Sequence, residues 1–161
     1  MTARDWFRAL VCVLLCLGIA LIGSYATVSE IPVWYAKLTK PIWTPPNGVF
    51  PIAWTLLYVM IAASLWLLWS RTPPSPRRSL VLALFLVQLA LNAAWSPVFF
   101  GGHAIMTGLV VIAALAVVLA FTVRKAFALN RAAAWLLVPY LLWVCYALSL
   151  NAGIAILNPT S

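Results

Sequence analysis

The polar side chains of the third long apolar segment lie at helical spacing. They follow the pattern i, i+4, i+7, i+8 and i+11, which places them on one face of a helix. The members of this face are Gln88, Asn92, Trp95, Ser96 and Phe99. Amide and hydroxyl groups in such a segment either hydrogen-bond to another helix or line a pocket. We predict an interhelical hydrogen bond for Gln88 and a pocket lining for the other four residues.

Two other apolar segments carry aromatic faces at the same spacing. The members of the earlier face are Trp54, Tyr58 and Ala62, and those of the later face are Tyr140, Trp143, Ala147, Leu150 and Asn151. A face that alternates aromatic rings with small residues leaves room for a flat apolar ligand between the rings. Helix packing alone explains such a pattern on one helix, but three such faces favour a shared pocket.

The residues needed for acid–base or metal chemistry are nearly absent. The chain has one histidine, His103, and two carboxylates, Asp5 and Glu30, all outside the centres of the apolar segments. This excludes a catalytic acid–base pair, a metal cluster and an intramembrane proton relay within the spans. His103 as an axial haem ligand is one alternative, but we favour a plain loop histidine. The three cysteines, Cys12, Cys16 and Cys145, form no disulfide framework and are interpreted as packing residues.

The elements that must position these residues are membrane-spanning helices. The 161 residues are 66% hydrophobic and 7% charged, with a mean hydropathy of +1.08. Residues 9–29, 41–70, 79–123 and 132–161 contain no Asp, Glu, Lys or Arg, and each run exceeds the ~20 residues that a helix needs to cross a bilayer.

The longest run divides at Gly101-Gly102, because paired glycines favour a turn. We therefore predict an all-α integral membrane protein, residues 1–161 forming a single five-helix domain. The predicted spans are about 7–27, 47–70, 79–100, 104–124 and 132–156.

The basic residues that give the net charge of +8 lie at the helix ends and do not form a nucleic-acid-binding surface. Five spans place eight basic residues on one side and two on the other, which predicts a cytoplasmic N-terminus and no nucleic-acid partner. The eight are Arg4, Arg8, Arg71, Arg77, Arg78, Arg124, Lys125 and Arg131, and the two are Lys37 and Lys40. The first run also has the basic, apolar and small-residue order of a signal peptide, but its length of nearly 20 residues favours a span.

The stretch Lys40–Trp54 joins the longest loop to the second helix. It contains four of the eleven prolines and two of the nine tryptophans. Proline fixes its own φ and keeps the preceding residue out of the helical region, so the stretch before Asn47 is stiff and non-helical. We predict that this long first loop acts as a lid and upper wall of the pocket, with Trp54 reaching inside.

Four motifs of the chain resemble the translocator protein family, whose bacterial members are called tryptophan-rich sensory proteins. The motifs are Trp34-Tyr35-x-x-Leu38-x-Lys40-Pro41-x-Trp43-x-Pro45-Pro46, Val49-Phe50-Pro51-x-x-Trp54-x-x-Leu57-Tyr58, Gln88-Leu89-x-Leu91-Asn92-x-x-Trp95-Ser96-Pro97-x-Phe99-Phe100 and Pro139-Tyr140-x-x-Trp143. The resemblance covers essentially the whole chain and identifies it as a bacterial member of this family, also known as the peripheral-type benzodiazepine receptor family.

The resemblance implies a homodimeric five-helix bundle with a cavity closed by the first loop. It implies no required cofactor; the expected ligands are protoporphyrin IX, haem and flat apolar drugs of the benzodiazepine type. By motif position, the ligand-binding residues would be Tyr35, Pro45, Trp54, Asn92, Trp95, Ser96, Trp143, Ala147 and Leu150.

We expect a membrane receptor or sensor that regulates porphyrin handling. Some bacterial relatives are reported to degrade protoporphyrin in light, and the resemblance then assigns Trp54 and Trp143 to that reaction. A porphyrin or sterol transporter is the further alternative. The Tyr-and-Arg sterol motif of animal members is missing after Asn151, which weakens the sterol version. The resemblance leaves the membrane open, as the inner or outer membrane of a bacterial cell.

Overall fold

Five long helices make up nearly all of the computed structural model, which describes residues 2–159. They are α1 Ala3–Val28, α2 Val49–Ser70, α3 Pro76–Ser96, α4 Ile105–Phe127 and α5 Arg131–Leu157. A short 3-10 turn covers Tyr35–Lys37, and a π-helical turn, Pro97–Gly101, continues α3. All five helical segments, α3 together with its π turn, are long and apolar enough to cross a membrane. The predicted five-helix membrane fold is confirmed.

The helix ends differ from the predicted spans by at most four residues, for identifiable reasons. Thr2 forms a capping box with Asp5, so α1 begins before the apolar run does. Ser75 caps α3 and Asn130 caps α5 through their side-chain oxygens. The start of α2 is later than predicted, because the chain between Pro46 and Val49 forms a turn. Capping side chains thus extend these helices beyond the apolar segments from which the spans are predicted.

The helices form a closed ring in the order α1, α2, α5, α4, α3. Each connection after the first is short, so successive helices are antiparallel. The eight basic residues at helix ends therefore share the end of the bundle where α1 begins, and the long first loop lies at the opposite end. Where α2 meets α5, the Ser64 hydroxyl donates to the Ala133 carbonyl oxygen at 2.9 Å, and the small Ala133 and Ala134 are fully buried.

Gln88 makes no interhelical hydrogen bond, and that prediction is wrong. Its side chain is 0% exposed, yet neither its amide nitrogen nor its amide oxygen has a partner among the described residues. Gln88 also lies outside the lining of the cavity described below. The helical period placed it on the face of Asn92, but it lies one turn deeper in the packed core, where no polar group is in reach.

The small residues Ala90 and Ala94 of α3 are exposed on the outer surface of the bundle. They are therefore accessible to a second copy of the chain rather than occupied by an internal neighbour. The homodimer stays a prediction.

Replacing Gln88 by leucine should stabilise the bundle, because it removes an unsatisfied buried amide that costs about 1–3 kcal/mol. Replacing the hydrogen-bonded Asn92 by leucine should destabilise it by a similar amount, because the substitution leaves two tyrosine hydroxyls without their partner. Thermal unfolding in the same detergent compares the two variants with the wild type. Equal destabilisation by both would contradict this interpretation of Gln88.

Candidate ligand-binding cavity

A cavity of about 830 Å³ lies inside the ring of helices, a volume typical of pockets for drug-sized ligands. Side chains of α1, α2, α3 and α5 form its walls, and Ile31, Tyr35 and Asn47 of the first loop lie at one end. Most of the lining is apolar or aromatic. The cavity is therefore suited to a ligand with large apolar faces and few polar groups.

Seven of the nine sequence-predicted site residues line this cavity. They are Tyr35, Trp54, Asn92, Trp95, Ser96, Ala147 and Leu150. Pro45 and Trp143 are not in the lining. The Trp143 ring packs edge-on against Trp54, with ring centroids 6.5 Å apart, so it supports a wall residue from behind. Pro45 is half-buried within the first loop.

Asn92 joins three helices at the centre of the wall. Its amide oxygen accepts a hydrogen bond from the Tyr58 hydroxyl of α2 at 2.9 Å. Its amide nitrogen donates to the Tyr140 hydroxyl of α5 at 2.5 Å. Trp54 stacks on Tyr58, with centroids 5.5 Å apart, so the position of this ring depends on the Asn92 network.

Asn151 makes a second polar connection, near the loop end of the cavity. Its amide oxygen accepts from the Trp95 indole nitrogen at 3.2 Å, and its amide nitrogen donates to the Ile105 carbonyl oxygen at 3.1 Å. Gly108 of α4 makes room for this arrangement. A Cβ at that position would stand 3.0 Å from the Phe99 ring and 3.3 Å from the Asn151 amide oxygen, so a side chain there would force a shift.

The π-helical turn after α3 directs an aromatic cluster towards the loop end of the cavity. Pro97 lacks an N–H and interrupts the regular helix, and the Gly102 N–H reaches back to the Pro97 carbonyl oxygen at 2.8 Å. As a result Phe99 stacks on Trp95 at 5.4 Å and packs edge-on against the Tyr35 ring of the loop at 6.5 Å. Single π turns are frequent at functional sites.

The first loop is attached to α5 along its outer part. The backbone N–H of Thr39 donates to the Asn158 amide oxygen at 3.0 Å, and the Asn158 amide nitrogen donates back to the Thr39 carbonyl oxygen at 2.9 Å. The Tyr146 hydroxyl donates to the Trp43 carbonyl oxygen at 2.8 Å. Between them, Pro41 packs directly on Gly153, where no Cβ fits.

The loop is also attached to the α3–α4 turn, at His103. The imidazole lies 2.8 Å from the Glu30 carboxylate and stacks on the Trp34 ring at 4.5 Å. His103 has a positive φ of 51°, a strained conformation for a residue with a side chain. Burial raises the pKa of Tyr35, which lies between the two attachments. The loop therefore covers one end of the cavity in a fixed position.

The described residues 2–159 contain no cluster of histidine, cysteine and carboxylate side chains that could hold a metal ion. His103 faces the first loop and is not in the cavity lining. A haem would therefore be bound as a flat apolar molecule, without His103 as an axial ligand.

Comparison with known proteins identifies the family to which the chain belongs. The sequence model of the TspO/MBR family matches residues 12–157. The chain belongs to the TspO/MBR family. It is 36% identical to the tryptophan-rich protein TspO of Chlorobaculum tepidum, over 92% of this chain and 94% of that protein. It is 33% identical to the protein CrtK of Rhodobacter capsulatus, over 85% of this chain and 86% of that one.

Animal proteins are also among the relatives. The chain is 35% identical to the human translocator protein, over 81% of this chain and 78% of that protein. Family membership and the five spanning helices together establish a multi-pass integral membrane protein.

Within this TspO/MBR fold, sequence reasoning did not select several residues that line the wall or support it from behind. Tyr58, Tyr140 and Asn151 stand on the aromatic faces noted above, but their hydrogen bonds to α3 are visible only in three dimensions. The α1 wall, which includes Gly23 and Ser24, was missed entirely. Small residues were the available signal there, since α1 has no polar stripe.

Substitution of Gly153 by alanine should displace the first loop without harming α5. The new methyl group would overlap Pro41, whereas alanine favours the helix itself by up to about 1 kcal/mol. We expect faster hydrogen exchange in residues 36–46 and an unchanged or higher melting temperature. Gly18→Ala is the matched control, because nothing lies within 4 Å of its added Cβ. Equal exchange in the two variants would contradict a loop that is fixed by this contact.

Proposed function

We propose that the protein is a membrane receptor that binds tetrapyrroles, such as protoporphyrin IX and haem, and related flat apolar ligands of the benzodiazepine type. In this role it senses or regulates porphyrin handling. The observation that carries the proposal is a large cavity with tryptophan rings on opposite helices, Trp54 on α2 and Trp95 on α3. One relative, from Cereibacter sphaeroides, is named a tryptophan-rich sensory protein.

The walls supply both stacking and a polar edge. Trp54 and Trp95 offer ring faces, which contribute about 0.5–1.5 kcal/mol per aromatic pair beyond the burial of apolar area. Ser96 makes no hydrogen bond to the rest of the described chain, so its hydroxyl is available to a ligand. Asn92 already binds Tyr58 and Tyr140, and its principal role is to hold the wall in shape.

We further propose that the N-terminal end of the bundle faces the cytoplasm of a bacterial cell. Eight of the ten basic residues lie at that end, as the positive-inside rule requires. The first loop and the end of the cavity that it covers then face the opposite compartment.

A second candidate function is the light-dependent oxidation of bound porphyrin by oxygen. The observation in its favour is that Trp54 lines the cavity and contacts three further oxidisable rings, Tyr58, Tyr140 and Trp143. Of the two tryptophans that the resemblance assigns to this reaction, Trp54 lines the cavity and Trp143 does not, so the two are not equivalent.

Substitution of Trp54 by leucine should weaken protoporphyrin IX binding about three- to tenfold, which corresponds to the loss of one ring contact. Trp143→Leu should have a smaller effect, because Trp143 is not in the lining. Titration by porphyrin absorbance and by quenching of the remaining tryptophans measures both affinities. If wild type and Trp54→Leu bind protoporphyrin IX with the same affinity, the assignment of this cavity as the porphyrin site is wrong.

Illumination of the protoporphyrin complex in air tests the second candidate. If the protein is an enzyme, the porphyrin absorbance band should fade faster with the protein than in detergent alone. Trp54→Phe should then slow the fading more than Trp143→Phe does, and a dark sample is the control. If the porphyrin band fades no faster with the protein than in detergent alone, the protein does not degrade porphyrin, and the proposed receptor function is unaffected.

A further inference from the structure

The cavity continues as a groove between α1 and α2, down to the end of the bundle where α1 begins. The lining of this half consists of Trp6, Ala9 and Val13 on α1 and Val59, Ala63 and Trp66 on α2. Val13 is 53% exposed and Val59 is 66% exposed, so the groove opens sideways towards the bilayer. In a membrane this half of the cavity is in contact with lipid.

The length of the groove matches one leaflet. Ten residues separate Trp6 from Cys16, the point where the groove meets the upper cavity, and ten helical residues rise about 15 Å. Half of a hydrocarbon core of about 30 Å is the same length. An acyl chain of the adjoining leaflet is therefore long enough to fill the groove to the level of Cys16.

Two arginines lie at the mouth of the groove. The Arg71 guanidinium stands over the ring of Trp66, 5.0 Å from its centroid, and Trp66 itself lines the groove. The Arg8 guanidinium stands 5.4 Å from the Trp69 ring centroid and donates to the Trp69 carbonyl oxygen at 3.2 Å. Both cations are thus held against α2 at this end of the groove.

The chain supplies these two cations with one carboxylate, that of Asp5, which interacts electrostatically with Arg71. Asp5 is the single carboxylate at this end, and its side chain caps the Thr2 backbone N–H at 3.0 Å. The other carboxylate, Glu30, lies at the opposite end beside His103. Within residues 2–159, neither Arg8 nor Arg71 has a carboxylate within 4.0 Å. A phosphate, which guanidinium groups bind through paired hydrogen bonds, would supply the missing charge.

We propose that this groove is a binding site for an anionic phospholipid. One acyl chain lies between α1 and α2, and the phosphate binds Arg8 and Arg71. The acyl chain and the phosphate are both needed for binding, since the groove is apolar along its length and cationic only at its mouth. The site does not depend on which ligand the upper cavity binds.

Native mass spectrometry of the full chain, released from bilayer nanodiscs, tests the proposal. In mixed phosphatidylglycerol and phosphatidylcholine, the wild type should retain one phosphatidylglycerol in preference. The double variant Arg8→Gln/Arg71→Gln should lose that preference by more than about tenfold, because each substitution removes a charge-assisted hydrogen bond to the phosphate. The matched control is Arg124→Gln/Arg131→Gln, which removes the same charge from the same end of the bundle and should keep the bound lipid.

A second variant separates the site from a folding defect. Ala63→Leu fills the groove and leaves every charge in place, so it should also reduce phosphatidylglycerol retention while the melting temperature is kept. Equal loss in the Arg124/Arg131 control would indicate general attraction to an anionic surface and overturn the proposal. Equal retention of phosphatidylcholine, or displacement of the lipid by excess inorganic phosphate, would also overturn the proposal. A change of oligomeric mass in Ala63→Leu would overturn it too, because it would point to a second copy of the chain in the groove.

Discussion

The hydrogen bonds of Asn92 are the interaction on which the cavity depends. Within a bilayer there is no water to satisfy a buried amide or hydroxyl, so such groups must bind one another. Asn92 meets this requirement by accepting from Tyr58 and donating to Tyr140, which sets the spacing of α2, α3 and α5. The rings that surround the cavity are then held apart by polar geometry, since apolar packing alone would favour their collapse into the empty space.

The first loop extends this rigidity to one end of the cavity. Its prolines remove backbone donors and limit its conformations, and its two attachments lie on α5 and on the α3–α4 turn. A loop fixed at both places closes the end of the bundle above Tyr35. The sideways opening between α1 and α2 is then the wide approach to the cavity that the described residues provide, and it leads into the bilayer, where apolar ligands concentrate.

The sequence was sufficient for the five helices, because each apolar run has the length that a bilayer demands. Six of the predicted site residues lie on helix faces that line the cavity, as the period of 3.6 residues per turn predicts, and Tyr35 lines it from the first loop. The sequence did not separate Trp143 from Trp54, because the edge of an aromatic face can meet either the cavity or the next helix. The wall formed by α1 was not predicted from the sequence, for a related reason. That helix has no polar stripe, so its small residues alone mark the side that faces the cavity.

The two halves of the cavity differ in chemistry, and this difference bears on how its occupants interact. The half beneath the loop contains the free hydroxyl of Ser96 and the rings of Trp54 and Trp95, whereas the half towards Arg8 and Arg71 is apolar. The halves are continuous at Cys16, Tyr58 and Ala62, so a ligand above and an acyl chain below would share one boundary. Two occupants in contact change each other's affinity by the same factor. The lipid composition of the leaflet at the end where α1 begins would therefore change the affinity with which a flat ligand binds.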